Sequence, residues 1–276
     1  MHAWSRFRHN RLAVVSLAFI VLVALIAILA HFWTPYPVWQ QELGPTYQGP
    51  SRAHWLGLDA SGRDITSRLM GGTEIALEVG VGATLMVSAV GIVMGLFAGF
   101  YRGKLDAVVS VLINLWYGIP DLLVALLIVV VTNQHGLLTI IFAITVTRWM
   151  DMARLVRGQT LSLREKEFIE GARMSGGTGL AIMFRHILPN ELGVIVVQAT
   201  LLIPQAILFE AFLSYLGLGV APPTPSWGAM ASDGYHALQF APHIELAPAV
   251  ALLSTLMAFN LLGDGLRDAL DPRMRR

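Results

Sequence analysis

Residues 12–33 read LAVVSLAFIVLVALIAILAHFW and contain no charged side chain. A hydrocarbon core about 30 Å thick is crossed by roughly 20 apolar residues when each rises about 1.5 Å along a helix. The stretch is long enough to cross, so the bilayer sets the terms for the rest of the chain. It follows the basic flank WSRFRHNR, as a secretory leader would. Its apolar run, however, exceeds the roughly 7–15 residues of a leader core, and no clear small-x-small cleavage site precedes the belt from Trp33 to Pro37. It is read as a retained anchor.

Working outward, the chain of 276 residues is 55% hydrophobic and 13% charged, with a mean hydropathy of +0.62. Soluble domains are about 45–50% apolar even with glycine counted, so composition agrees with a membrane protein. The net charge of +1 gives no reason to expect nucleic acid as a partner. The absence of cysteine removes disulfides, thiolate catalysis and cysteine-based zinc sites.

Five further apolar stretches follow: Ile75 to Phe100, Ala107 to Val131, Leu137 to Met150, Leu192 to Leu216 and Ile244 to Leu262. The Leu137 stretch is short and borrows length from Gly136 and Asp151. Barrel strands would be about half as long and alternate in polarity, whereas helices satisfy their own backbone hydrogen bonds in lipid. The expectation is an all-α integral membrane protein with six transmembrane helices. Gly91, Gly95 and Gly99 form a small-residue stripe suited to close helix packing, and Pro204 and Pro248 are positions for a kink.

Basic residues in short connections face the cytoplasm. With a cytoplasmic N-terminus, that side holds Arg6, Arg8, Arg11, Arg102 and Lys104. It also holds Arg148, Arg154, Arg157, Arg164, Lys166, Arg173 and Arg185, and then Arg267, Arg273, Arg275 and Arg276. Only Arg52, Arg63 and Arg68 lie opposite, so both termini are expected in the cytoplasm.

Catalytic signatures are missing. There is no GxxxxGK[ST], HExxH or GxSxG pattern, and His236 and His243 lack a third ligand at a recognisable spacing. No catalytic residue and no metal site are expected, which argues against a membrane enzyme. Ionisable residues within apolar spans are expensive and mark function or polar packing. Glu78 lies near the outer end of its span, Asp121 follows Pro120, and Glu210 sits about a third of the way in from the outer end. For Glu210 two readings stand: a water-filled translocation path, or a polar contact between helices. A proton- or ion-coupled carrier would need a relay of such residues across the midplane, and the sequence offers only Glu210 and Asp121.

Between the fourth and fifth spans, residues 167–190 read EFIEGARMSGGTGLAIMFRHILPN. From Leu161 to Ala172 the helical period puts Leu161, Phe168, Ile169 and Ala172 on one face and Lys166, Glu170 and Arg173 opposite. Gly176, Gly177 and Gly179 then end this short amphipathic helix, and Pro189 sits where the next helix starts. Such a helix can lie on the anionic inner leaflet or fit the groove of a cytoplasmic partner.

Glu170, Gly171, Ala172 and Gly176, followed by ILPN from Ile187 to Asn190, resemble the EAA motif of permease subunits in binding-protein-dependent ABC importers, with Gly171 where the family has alanine. HWLGLDASGRD from His54 to Asp64, with Leu58 in place of the usual threonine, resembles the extracytoplasmic signature of one permease of the peptide and nickel subfamily. FLSYLGLGV (Phe212 to Val220), PPTPSWG (Pro222 to Gly228) and NLLGDGLRD (Asn260 to Asp268) are similar to the same subfamily.

The resemblance implies a type I importer fold for peptides, or for nickel or a metal chelate, in a bacterial inner membrane. It implies a second, different permease, two ATP-binding subunits that carry ATP and Mg, and an extracytoplasmic substrate-binding protein. No cofactor would sit on this chain. A coupling helix at about 161–176 would present Glu170, Gly171, Ala172, Arg173 and Gly176, with Leu188 and Pro189, to an ATPase. Gly57, Asp59, Gly62, Arg63 and Asp64 would form the extracytoplasmic motif, and Arg63 and Asp64 would pair locally or with a docked binding protein. On the residues themselves, Asp59 or Ser61 would cap a short helix from Arg63 to Met70 that Gly71 and Gly72 end. The expected organisation is residues 1–73 as tail, first span and extracytoplasmic segment, 74–265 as permease domain, and 266–276 as cytoplasmic tail.

Overall fold

A computed structural model describes residues 3–270. Arg273, Arg275 and Arg276, counted above in the charge bias, lie outside the described residues. Within them the only regular structure other than helix is one isolated β-bridge between Leu58 and Asp64. In order, the helices are α1 (Ala3–His9), α2 (Arg11–Phe32), α3 (Ile65–Tyr101), α4 (Gly103–Tyr117), α5 (Asp121–Thr132) and α6 (Leu137–Leu163). There follow α7 (Glu167–Met174), α8 (Gly179–Ile182), a π turn (Met183–Ile187), α9 (Leu188–Tyr215), α10 (Trp227–Tyr235) and α11 (His243–Leu270).

Four segments are long and apolar enough to cross a membrane: α2, α3, the continuous run Gly179–Tyr215, and α11. The expected span from Ala107 to Val131 is instead two helices, α4 and α5, bent by 88° and counted as a fifth span only if taken together. Pro120 causes the break, since it has no N–H to donate and pushes Ile119 out of the helical region. The expected fourth span, Leu137 to Met150, opens α6, but that helix runs on as one rod through Asp151, Arg154 and Arg157 to Leu163. Its apolar part alone is shorter than a bilayer.

The short helix expected from Arg63 to Met70 is the first part of α3, which passes through Gly71 and Gly72 unbroken. The cap is Asp64, whose Oδ2 accepts from the Ser67 N–H at 2.7 Å; Asp59 and Ser61 do not cap it. The two glycines are sites of close approach. A Cβ on Gly71 would lie 2.7 Å from the Pro225 ring, and one on Gly72 would lie 2.7 Å from the Trp227 indole. Trp227 opens α10, and its Nε1 donates to the Leu69 carbonyl at 3.2 Å.

The glycine stripe lies against α6, which runs parallel to α3. A Cβ on Gly91 would meet Met152 Cβ at 2.5 Å, one on Gly95 would meet the Ala153 carbonyl at 2.6 Å, and one on Gly99 would meet Thr160 Cβ at 2.7 Å. Without side chains the two backbones approach closely, and Val79, Ala83 and Val87 of α3 join Ile140, Ile144 and Met152 of α6 in the main apolar cluster. The run Gly179–Tyr215 is capped by Thr178, whose hydroxyl accepts from the Ala181 N–H at 3.3 Å. At the π turn the Leu188 N–H reaches back five residues to Met183. This wider turn makes room for Pro189, whose ring would crowd the carbonyl of Arg185 in a regular α-helix.

Candidate functional site

One end of the bundle is built by the C-terminal ends of α3 and α6 together with α7 and α8. Helix α7 is shorter than the period suggested, because Leu161 belongs to α6 and the chain breaks at Arg164–Lys166 before restarting at Glu167. The restart rotates the faces. Ile169 is fully buried and Ala172 half-buried against the main cluster, whereas Phe168, expected inside, is 46% exposed and Met174 is 86% exposed. Glu170, Gly171 and Arg173 are also exposed.

Gly176 ends α7 with φ +81°, a region that only glycine enters without strain. Its N–H reaches the Arg173 carbonyl at 3.0 Å and that of Gly177 reaches Ala172 at 3.0 Å, the paired bonds of a Schellman close. Gly179, expected to help stop α7, instead starts α8, where a Cβ would lie 3.1 Å from the Phe100 ring and from the Tyr101 hydroxyl.

The end of α3 holds this unit in place. Arg164 donates to the Phe100 carbonyl, the Arg173 guanidinium stands 5.6 Å from the Phe100 ring centre, and Arg102 pairs with Glu165 at 2.7 Å. Burial, then Arg102 and Arg173, push the Arg164 guanidinium down from its ordinary pKa, with Glu165 opposing. Leu188 packs against the same cluster as Ala172, and Pro189 is exposed on the first turn of α9. Glu170, Gly171, Arg173 and Met174 therefore form an outward surface on a helix that is tied to α3 and α6 behind it.

At the other end, the expected motif folds as a closed loop. Asp59 is 1% exposed and accepts from the N–H groups of Ser61 and Arg63 at 2.8 and 3.0 Å and from Arg63 Nε at 2.7 Å. It also pairs with Arg68, itself 5% exposed. Asp64 is held by His54 Nδ1 at 3.0 Å. Gly57 and Gly62 have φ of +86° and +68°, and a Cβ on Gly62 would crowd the backbone of Glu42 and Gly44. Arg63 and Arg68 also reach Asp233 of α10, at 3.2 and 3.4 Å. Thus Asp64 serves α3, and Arg63 is paired within the chain. Asp233 was missed by sequence reasoning, since no local pattern links it to residues more than 160 positions earlier.

Glu210 is 1% exposed. Its Oε1 accepts from the hydroxyls of Ser214 at 2.5 Å and Ser226 at 2.8 Å, and Ser226 caps α10. Of its two readings, the geometry is the polar contact between helices. Asp121 pairs with Arg148 at 2.6 Å. Among the described residues no group of three His, Cys, Asp or Glu side chains is placed to hold a metal.

The family model described as "binding-protein-dependent transport system inner membrane component" matches residues 91–276, and that of the "N-terminal TM domain of oligopeptide transport permease C" matches residues 1–50. The chain is 43% identical to the oligopeptide transport system permease protein OppC of Bacillus subtilis over 99% of this chain and 90% of that protein. It is 42% identical to the dipeptide transport system permease protein DppC of the same organism, over 99% of this chain and 86% of that protein. In structure it resembles the MetNI methionine ABC transporter in an inward-facing conformation, with a TM-score of 0.59, 21% identity, and coverage of 74% of this chain and 96% of the other.

Proposed function

The chain belongs to the family of binding-protein-dependent transport system inner membrane components, and from that premise we propose that it is a non-catalytic permease subunit of an ATP-driven importer for short peptides. The transported class rests on the oligopeptide and dipeptide permeases among its relatives. Both termini and α7 lie on the cytoplasmic side of a bacterial inner membrane, in keeping with the basic bias of the connections. A second permease completes the path, two partner subunits bind ATP and Mg, and a substrate-binding protein docks outside; no cofactor sits on this chain.

The observation that carries the coupling role is α7. It exposes Phe168 and Met174 beside Glu170 and Arg173 while Ile169 anchors it inward. An isolated subunit leaves such a mixed apolar and charged ridge uncovered, and a groove on an ATPase covers it. Motion of that partner passes through α7 to α6, whose glycine-lined contact with α3 moves as a packed unit between discrete arrangements. The closed loop around Asp59, with Asp233 on α10, forms a stiff outer platform against which a binding protein can seat.

The test is Glu170→Arg in the assembled importer in lipid vesicles, with peptide uptake and ATP hydrolysis measured together. A reversed charge at a docked ridge costs enough to lower uptake about tenfold or more, with hydrolysis uncoupled from transport or the ATPase lost on purification. Unchanged assembly, hydrolysis and uptake would refute the coupling role.

A further inference from the structure

A groove of about 680 Å³ opens sideways between α2 and α3. Ala24 and Ile28 wall it on α2, Val81 and Leu85 wall it on α3, and Leu137 from the start of α6 contributes one edge. Both flanking helices are long and apolar enough to cross a membrane, so in a bilayer what enters from the side comes from the lipid phase. At one end the apolar lining gives way to His31, Glu74 and Glu78, with His31 Nδ1 and Glu74 Oε1 2.7 Å apart and Glu78 exposed one turn further along α3. No arginine or lysine lines the groove.

We propose that this groove binds one acyl chain of a phospholipid whose headgroup carries a primary ammonium, of the phosphatidylethanolamine type. Three features of the molecule select that occupant. First, the polar end is level with the exit of α2 at Phe32, next to the exposed indole of Trp33, and aromatic side chains of this kind mark the headgroup layer. Second, from Glu74 to Leu85 the groove follows α3 for about 16 Å. That is about half of a 30 Å hydrocarbon core, or the depth of one leaflet. Third, two carboxylates at the headgroup level attract an ammonium and repel an anionic lipid. A primary ammonium has N–H donors for both, whereas a trimethylammonium has none. Glu78 also needs such a partner, because a carboxylate facing lipid is costly when unpaired. The site depends only on the membrane setting of α2 and α3 and is independent of what the protein transports.

The experiment uses the importer complex with its partner subunits, purified and exchanged into detergent with dioleoyl phosphatidylethanolamine, phosphatidylcholine or phosphatidylglycerol in turn, and bound lipid is counted by native mass spectrometry. Wild type is expected to retain phosphatidylethanolamine about five-fold better than the other two, the ratio expected for a charge pair at a semi-exposed site. Glu74→Gln with Glu78→Gln should bring the three lipids to parity, and Ala24→Trp, which fills the groove without touching the carboxylates, should reduce retention of all three. Equal retention in wild type, or a preference unchanged by both variants, overturns the proposal. So does loss of the second permease from the complex with either variant at unchanged lipid retention, since the groove would then be a subunit contact.

Discussion

Replacing Gly95 by alanine tests whether the α3–α6 contact is set by backbone approach. A methyl carbon there would stand 2.6 Å from the Ala153 carbonyl oxygen, 2.7 Å from Val156 Cβ and 2.9 Å from the Arg157 nitrogen. Carbon atoms pack at about 3.5–4.0 Å, and two of these three neighbours are backbone atoms that cannot rotate away. The helices must separate by roughly 1 Å, and overpacking of this kind costs about 1–3 kcal/mol. Gly158, on the same α6 but with nothing within 4 Å of its added Cβ, is the control, where alanine gains about 0.5–1 kcal/mol. At about 2–4 °C per kcal/mol for a chain of this size, the two variants should melt roughly 3–16 °C apart. Tryptophan fluorescence of purified protein in detergent during heating reads the difference. Since α6 leads directly toward α7, uptake by the Gly95→Ala importer should also fall. Melting temperatures within about 2 °C of one another would refute the idea that missing side chains at this contact decide its strength.

The outer loop makes a second prediction: Asp59→Ala leaves the buried Arg68 guanidinium short of its counter-ion and should cost about 3–5 kcal/mol, whereas Asp233→Ala, at a half-exposed carboxylate, should cost about 1 kcal/mol or less; thermal stability of the two variants measures the contrast. Glu210→Leu removes the acceptor of two buried serine hydroxyls and should destabilise the seating of α10 by about 1–3 kcal/mol, seen as faster amide exchange in residues 226–235. On α7, an added Cβ at Gly171 meets nothing within 4 Å; Gly171→Ala should therefore slow amide exchange across the helix by about 0.5–1 kcal/mol of added stability. At Gly176, where φ is +81°, alanine should speed it by roughly 1 kcal/mol.

Much of the candidate site was legible because its signals are local. The end of α7 at Gly176 followed from glycine's access to the left-handed region, and the outward charge of Glu170 and Arg173 followed from their spacing. What failed was continuity. The period from Leu161 to Ala172 looks unbroken in sequence, yet Arg164, pulled back to the Phe100 carbonyl, marks where one helix ends and another begins with Phe168 turned outward. Gly71 and Gly72 looked like a stop for the opposite reason, since nothing nearby in sequence reveals that Pro225 and Trp227 fill the space beside them.

The sequence by itself determined that the chain is helical and lives in a membrane, because length and apolarity report directly on transfer into lipid and need no knowledge of neighbours. It also determined where small residues permit close packing and where basic residues collect. The tertiary structure decided which glycines are contacts and which are turns, that Asp64 rather than Asp59 caps α3, and that Glu210 fastens α10 in place. Most of those outcomes rest on partners outside the local pattern, Pro225 and Trp227 for Gly71 and Gly72, Arg68 and Asp233 for the loop that occupies Asp59, and Ser226 for Glu210, whereas the Asp64 cap is made locally, to the Ser67 N–H. A group's free energy in a folded chain is set by what stands within a few ångströms of it, and order along the chain does not carry that distance.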